Sequence, residues 1–395
     1  MGHLAIYLPP FSSDYAGTCS ALFDFDSLVT INDAHCCTHN YIFYDEPRWS
    51  KATKTTLCTE LRTMDAVFGN DETVVSKVVE AARTLKPDFI SVLGSPVPAV
   101  IGMDMQGIAK EIEALSGIVT FGFNTTGFSY YDKGISDAAL ALVKKYVEPT
   151  DERIPNSVNI LGLTPIDYAF ADNGASLRRM LESGGFNVIG SFFMGTSLSQ
   201  VRSAGKAAVN LVVSGSGLNM GKLLRRRFKT PYVAASPMGT RHGEHVLACL
   251  HGAAAGMEKD SIPAANGQGR ALLIVGDQVM TSSLREALRL AGVAGKMDVA
   301  GFFGMADELK EAGDIHLESE KQLITLLKSG IYDTLIGDPL IYEIPAAKRL
   351  SFFALPHPAI SSRLFWNKQP LYATSGFDGF IQKIAAECSG VSPME

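Results

Sequence analysis

Charge is scarce in this chain: Asp, Glu, Lys and Arg make up 19% of its 395 residues, below the globular average of about 25%. With 46% apolar residues and a net charge of −6, it lacks the low hydrophobicity and high charge that keep a chain disordered. No uninterrupted apolar run reaches the roughly 18 residues that read as a membrane helix, so no membrane partner is expected. The one dense basic run, Lys222, Arg225-Arg226-Arg227 and Lys229, is short. With no basic stripe to meet phosphates, nucleic acid is not an expected partner either. Six cysteines are too few in so long a chain for a disulfide framework, which points to a reducing cytoplasm. Neither a Walker A sequence nor HExxH occurs. The opening segment Met1 to Pro10 has no basic n-region and stops at a proline pair, so it reads as a first strand and not as a signal peptide.

What is present is a recurring unit: a short apolar run, a loop bearing Gly, Ser or Pro, then a helical stretch. Asp88–Leu93 leads into Gly94-Ser95-Pro96, with a helix beginning near Met105. Val158–Leu161 leads into Gly162-Leu163-Thr164-Pro165, followed by a helix over Ala175–Glu182. Ala208–Val213, Leu272–Val275 and Thr334–Ile336 end in Ser214-Gly215-Ser216-Gly217, Gly276-Asp277 and Gly337-Asp338. Buried strands alternating with helices build parallel sheets, and right-handed crossovers place such loops on one edge. Polar or Gly-rich breaks at Glu148–Pro155 and Pro263–Gly269 divide the chain into three Rossmann-like α/β domains, at about 1–150, 151–262 and 263–395.

Three segments have the residue types for chemistry. Asn32-Asp33-Ala34-His35-Cys36-Cys37-Thr38-His39 follows the apolar run Leu28–Ile31. Thiolates there could ligate zinc or an iron–sulfur cluster. Adjacent side chains diverge, however, so a cluster needs further thiolates from Cys58, Cys19 or a second subunit. The alternative is a small buried patch at a loop. His242-Gly243-Glu244-His245 with Cys249 and His251 puts His245 and Cys249 on one helix face, but a buried helix start explains that run without a metal. Ser214–Gly221 follows a strand and could place N–H groups around an anion. It lacks the dinucleotide spacing, and a tight strand-to-helix turn is the simpler reading.

Four collinear segments resemble the nitrogenase component 1 superfamily. Thr59–Glu72, containing Glu60, Asp65 and Val67-Phe68-Gly69, is similar to its "VFGG" segment ahead of a helix. Ser13–Gly17 resembles the surroundings of the first cluster cysteine, and Val100–Asp104 a segment after the third. Gly376-Phe377-Asp378-Gly379-Phe380 resembles the C-terminal "GFDGF". The resemblance implies three Rossmann-like domains with mostly parallel sheets. It also implies electron delivery from an ATP-hydrolysing iron protein, through an interfacial iron–sulfur cluster, to a cavity among the domains.

The departures from the pattern narrow that expectation. The first cluster cysteine falls on Ser13, the third on Pro96, and only Cys36 or Cys37 matches the middle one. The ligand positions of the iron–molybdenum cofactor fall on Ser214 and Ser375, so that cofactor is not expected. The resemblance thus implies a homodimer or a heterodimer with a similar subunit. Cys36 and Cys37 from each chain, with Cys58 in reserve, would hold a [4Fe–4S] cluster at the interface. The substrate would be a tetrapyrrole or another conjugated molecule, bound near Ser214, Ser375 and the proline-flanked His357. The alternative is a non-catalytic scaffold or binding protein for a cofactor or metallocluster precursor.

Overall fold

A computed structural model describes residues 5–49, 56–69, 71–257, 262 and 269–389. Its strands form three separate parallel sheets. The first has the order β2-β1-β3-β4, from Ser27–Ile31 (β1), Thr56–Cys58 (β2), Phe89–Leu93 (β3) and Thr120–Phe123 (β4). The second repeats that order as β6-β5-β7-β8, from Ile154–Leu161 (β5), Asn187–Phe192 (β6), Ala207–Val212 (β7) and Tyr232–Ala234 (β8). The third is β11-β10-β9-β12-β13, from Leu272–Val275 (β9), Met297–Gly301 (β10), Ile315–His316 (β11), Thr334–Gly337 (β12) and Ser351–Ala354 (β13). The three Rossmann-like sheets expected from the apolar runs are therefore present. All five residues of β3 and all four of β9 and β12 are buried, as strands covered by helices on both faces must be.

In each sheet the chain reverses its direction of travel between two central strands: β1/β3, β5/β7 and β9/β12. Loops leaving the C-terminal ends of such a pair diverge and leave a crevice, the usual ligand position in an open α/β sheet. The loops that the sequence singles out, after β1, β3, β5, β7, β9 and β12, are these six.

Close helix packing brings the sheets together. The helices Asp14–Leu22 and Tyr131–Tyr146 cross at two glycines. A Cβ on Gly134 would lie 1.8 Å from the Asp14 carbonyl oxygen, and one on Gly17 would lie 2.0 Å from that of Tyr131. One buried apolar cluster then runs through all three sheets, from Leu22 and Phe89 through Phe192 and Phe193 to Phe303 and Leu335.

The opening segment corrects an expectation. Residues 5–10 form no strand. Pro9 and Pro10 have no N–H for a ladder, and the N–H groups of Ile6, Tyr7 and Leu8 all donate to the Glu320 carboxylate at 2.8–2.9 Å. The break expected at 263–269 lies, but for Gly269, outside the described residues.

Candidate functional site

The thiol loop follows β1. His35 takes a left-handed conformation (φ 93°) and starts the short helix Cys36–Asn40. The Asp33 carboxylate accepts the N–H groups of Cys37 (2.8 Å) and Thr38 (3.1 Å), which fixes the turn. Cys36 is exposed and Cys37 half-buried, with the Tyr15 hydroxyl against the Cys37 thiol. Burial and the nearby Asp33 charge push the Cys37 thiol up to about 11. Cys58, at the end of β2, donates through Sγ to the Asp33 carbonyl at 3.3 Å. Cys37 and Cys58 thus both touch Asp33, while Cys36 points outward. Among the described residues no three His, Cys, Asp or Glu side chains gather into a metal-binding group. Ser13, where the resemblance places the first cluster cysteine, lies against the Tyr15 side chain, and Ser95 Oγ, one residue before the third position at Pro96, is buried without a hydrogen-bond partner among the described residues.

The segment leading to the helix Thr63–Phe68 is tied to this loop by the Leu61 N–H, which donates to the Asp33 carbonyl at 2.8 Å. Val67 and Phe68, at the end of the helix Thr63–Phe68, and Val100, on the helix Pro96–Ile101, are 67%, 77% and 76% exposed, and the two helices touch. Met64, Phe43, Tyr44 and Phe128 are exposed as well. A group of large exposed side chains is unusual on a free surface and marks an interaction site.

The motifs at Val100–Asp104 and Gly376–Phe380 turn out to shape the backbone. Gly102 closes its helix with φ 77°, and Asp104 caps the next by accepting the Gln106 N–H at 3.0 Å. Asp378 accepts the N–H and hydroxyl of Thr240 at 2.8 and 2.7 Å, tying the C-terminal helix to the helix Gly239–Ala254. His242 in that helix is buried, its Nδ1 accepting the Met238 N–H, with Glu286 3.3 Å from Nε2.

The second centre lies where the switch loops of sheets two and three meet the helix after β4. Asp167, fully buried, stands at its middle. Its Oδ1 accepts the Tyr131 hydroxyl at 2.6 Å. Its Oδ2 accepts Thr164 Oγ1 at 2.9 Å and lies 3.0 Å from Ser214 Oγ and 3.3 Å from Ser216 Oγ. Asp277, at the end of β9, accepts the Gly215 N–H at 2.9 Å and caps the helix Gln278–Leu290. Asp338, after β12, accepts the His357 N–H at 2.8 Å. One polar knot therefore ties all three sheets, and Gly162 shows how tightly: at φ 81°, a Cβ there would meet Ser214 Oγ at 2.7 Å.

Burial raises Asp167, and the nearby Asp277 charge raises it further; burial also raises Asp277, with the Asp132 charge adding to it against the backbone N–H groups that Asp277 accepts. Burial likewise pushes Asp338 up to about 6 and His357 down to about 3. His357 Nδ1 accepts the Ala359 N–H at 3.2 Å, which puts the ring proton on Nε2. That Nε2 is buried, without a hydrogen-bond partner among the described residues, and 3.6 Å from Asp167 Oδ1. At that distance a neutral ring and Asp167 make no ion pair. Beside the knot a cleft of about 340 Å³ opens to the surface between Asp132, Gly215, Asn219, Lys222 and Gly304.

The structure brings Ser214 and His357 together through Asp167. It leaves Ser375 exposed at the start of the short helix Ser375–Phe377. Asp167 itself escapes the sequence reading, although Thr164-Pro165-Ile166-Asp167 has the spacing of a helix N-terminal capping box.

The family described as nitrogenase component 1 type oxidoreductase matches residues 13–283. Over 191 residues the chain is 26% identical to the nitrogenase iron-molybdenum cofactor biosynthesis protein NifE of Clostridium pasteurianum, covering 48% of this chain and 41% of that protein. It is 25% identical over 183 residues to one of the subunits of the light-independent protochlorophyllide reductase of Nostoc punctiforme, covering 43% of this chain and 36% of that protein. These matches span less than half the length of either relative. A solved structure, nitrogenase Cp1 at pH 6.5, shares the fold with a TM-score of 0.71 at 14% identity, over 97% of this chain and 93% of that one.

Proposed function

Since the chain belongs to the nitrogenase component 1 type oxidoreductase family, matched over residues 13–283, we propose that it is a nitrogenase-like reductase subunit. In this reading it receives electrons from an ATP-hydrolysing iron protein and passes them, through a [4Fe–4S] cluster at a subunit interface, to a tetrapyrrole or another conjugated molecule. The observation that carries the reading is the exposed Cys36 beside the half-buried Cys37, in a loop bonded to the segment ahead of the helix that exposes Val67 and Phe68. A two-fold axis through that surface covers these apolar side chains and brings two thiols from each chain together, the four that such a cluster takes. A similar subunit in a heterodimer would serve the same geometry. The thiol pair fits half a cluster, and Cys58, held on the Asp33 carbonyl, stands behind it.

When bound, the cluster supplies a one-electron relay. This chain's own residues orient and protect it: Asp33 fixes the loop backbone, Tyr15 covers the Cys37 thiol, and the exposed apolar side chains exclude water from the interface. Cys37 must lose its proton to become a ligand, so its raised thiol makes metal loading easier as pH rises. We place the substrate in the switch-point crevice of sheets two and three, beside Ser214 and His357, with Ser375 at its rim. Six free cysteines accord with a reducing cytoplasm, and we divide the chain into domains at 1–150, 151–262 and 263–395.

One observation favours a second reading, a scaffold or binding protein for a cofactor or metallocluster precursor. Ser214 Oγ, at the cofactor-ligand position, is hydrogen-bonded to Gly162, Asp167 and Ser216, which supports a chain that does not fix an iron–molybdenum cofactor through that side chain. The two readings part on electron transfer. Anaerobically reconstituted protein is mixed with an iron protein of the same family, MgATP and dithionite at a level that alone leaves it oxidised. ATP-dependent bleaching of its visible absorbance supports the reductase; no bleaching, with iron retained, supports the scaffold.

A further inference from the structure

The Asp167 knot contains a shortage of protons. Ser214 Oγ has three oxygen neighbours: the Gly162 carbonyl at 2.7 Å, Ser216 Oγ at 2.7 Å and Asp167 Oδ2 at 3.0 Å. Each such contact needs a proton between its oxygens, yet each serine hydroxyl carries one. Ser214 gives its proton to Gly162, which has none to give, and Ser216 gives its proton to Ser214. The contact with Asp167 then has no proton unless the carboxyl carries it. The Tyr131 and Thr164 hydroxyls already donate to the carboxyl. Among the described residues no cation answers a negative charge there: the nearest ring nitrogen, His357 Nε2, stands 3.6 Å off. An unpaired buried carboxylate is among the costliest groups to keep in a fold.

We infer that Asp167 is a neutral carboxylic acid whose Oδ2–H donates to Ser214, so that this junction of the three sheets holds no buried charge at its middle. The inference does not rest on the reductase reading. The proton stays within the knot: Ser214 and Ser216 are buried, and the adjoining cleft is lined by Gly215 and by neither serine. Asp167 acts through Ser214, whose Oγ it holds against Gly162 and Ser216, and is a positioning residue. The other titratable groups facing it are Tyr131 and Asp132 on the helix after β4, Tyr168 on its own segment, Asp277, His357 with Asp338, and Tyr372.

Infrared difference spectroscopy of the full chain in H2O and D2O tests this. The carbonyl stretch of a buried carboxylic acid is expected at pH 7, shifted by deuterium, absent from Asp167→Asn and kept in Asp277→Asn. A spectrum without that band, or a band removed by Asp277→Asn and not by Asp167→Asn, overturns the proposal. Should Asp167→Asn not fold, Ser214→Ala serves: it deletes the acceptor, so the band moves to higher frequency, and an unmoved band overturns the assignment. The band is read without iron protein. A missing band beside working electron transfer therefore condemns this proposal alone, and a band beside failed electron transfer condemns the reductase reading alone.

Discussion

Arg48 offers the sharpest test of how the thiol loop is held. Its guanidinium bonds both oxygens of Glu46, Nε to Oε1 and Nη2 to Oε2, each at 2.8 Å. It also reaches Asp24 at 3.0 Å and the carbonyls of Phe193 (3.1 Å) and Ser20 (2.8 Å). One side chain thus clamps the segment after the thiol loop to the helix Asp14–Leu22 and to the end of β6. The Glu46 side chain is 0% exposed, so Arg48→Met leaves an uncompensated buried charge, at a cost of about 3–5 kcal/mol. Against a total stability of roughly 5–15 kcal/mol that is a large share. Urea denaturation of Arg48→Met, and of Arg48→Met with Glu46→Gln, reads it; the double variant recovers most of the loss because no charge remains buried. A loss under about 1 kcal/mol, the value of an exposed pair, or no recovery in the double variant, refutes the reasoning.

Other expectations are as concrete. Gly134→Ala puts a methyl 1.8 Å from the Asp14 carbonyl and costs about 3 kcal/mol or more by forcing two helices apart, read by the same denaturation. Phe68→Asp with Val100→Asp leaves the fold intact and turns the dimer into a monomer on sedimentation, if the exposed apolar patch is the interface. Asp338 has its folded pKa raised to about 6, so stability falls as pH rises from about 4 to 6, and Asp338→Asn flattens that window. His357 has its folded pKa lowered to about 3, so stability is lost as pH falls from about 6.5 towards 3. His357→Asn, which still caps Ala359, lessens that loss in a thermal-melt series.

The strands were legible because buried apolar runs of four to six residues punctuated by glycine have few other readings: Leu272–Val275 is β9 residue for residue, and Asp88–Leu93 differs from β3 by one. The N-terminal segment misled because its apolar residues look strand-like, while the carboxylate that takes their N–H groups, Glu320, lies over 300 residues away. The thiols could be seen as residues, but not the exposed apolar patch, which only the touching of the helices Thr63–Phe68 and Pro96–Ile101 assembles. Asp167 shows the limit most plainly. Its local pairing with Thr164 is written in four adjacent residues, whereas Tyr131, Ser214 and His357 reach it from other elements. No local pattern announces where three sheets meet.

The iron content of anaerobically reconstituted protein, measured with its mass in solution, tests the central claim most directly. The account predicts about four irons and four sulfides per dimer, lost in Cys36→Ser with Cys37→Ser while the fold remains. Iron bound by a monomer, or retained when both thiols are gone, would contradict it.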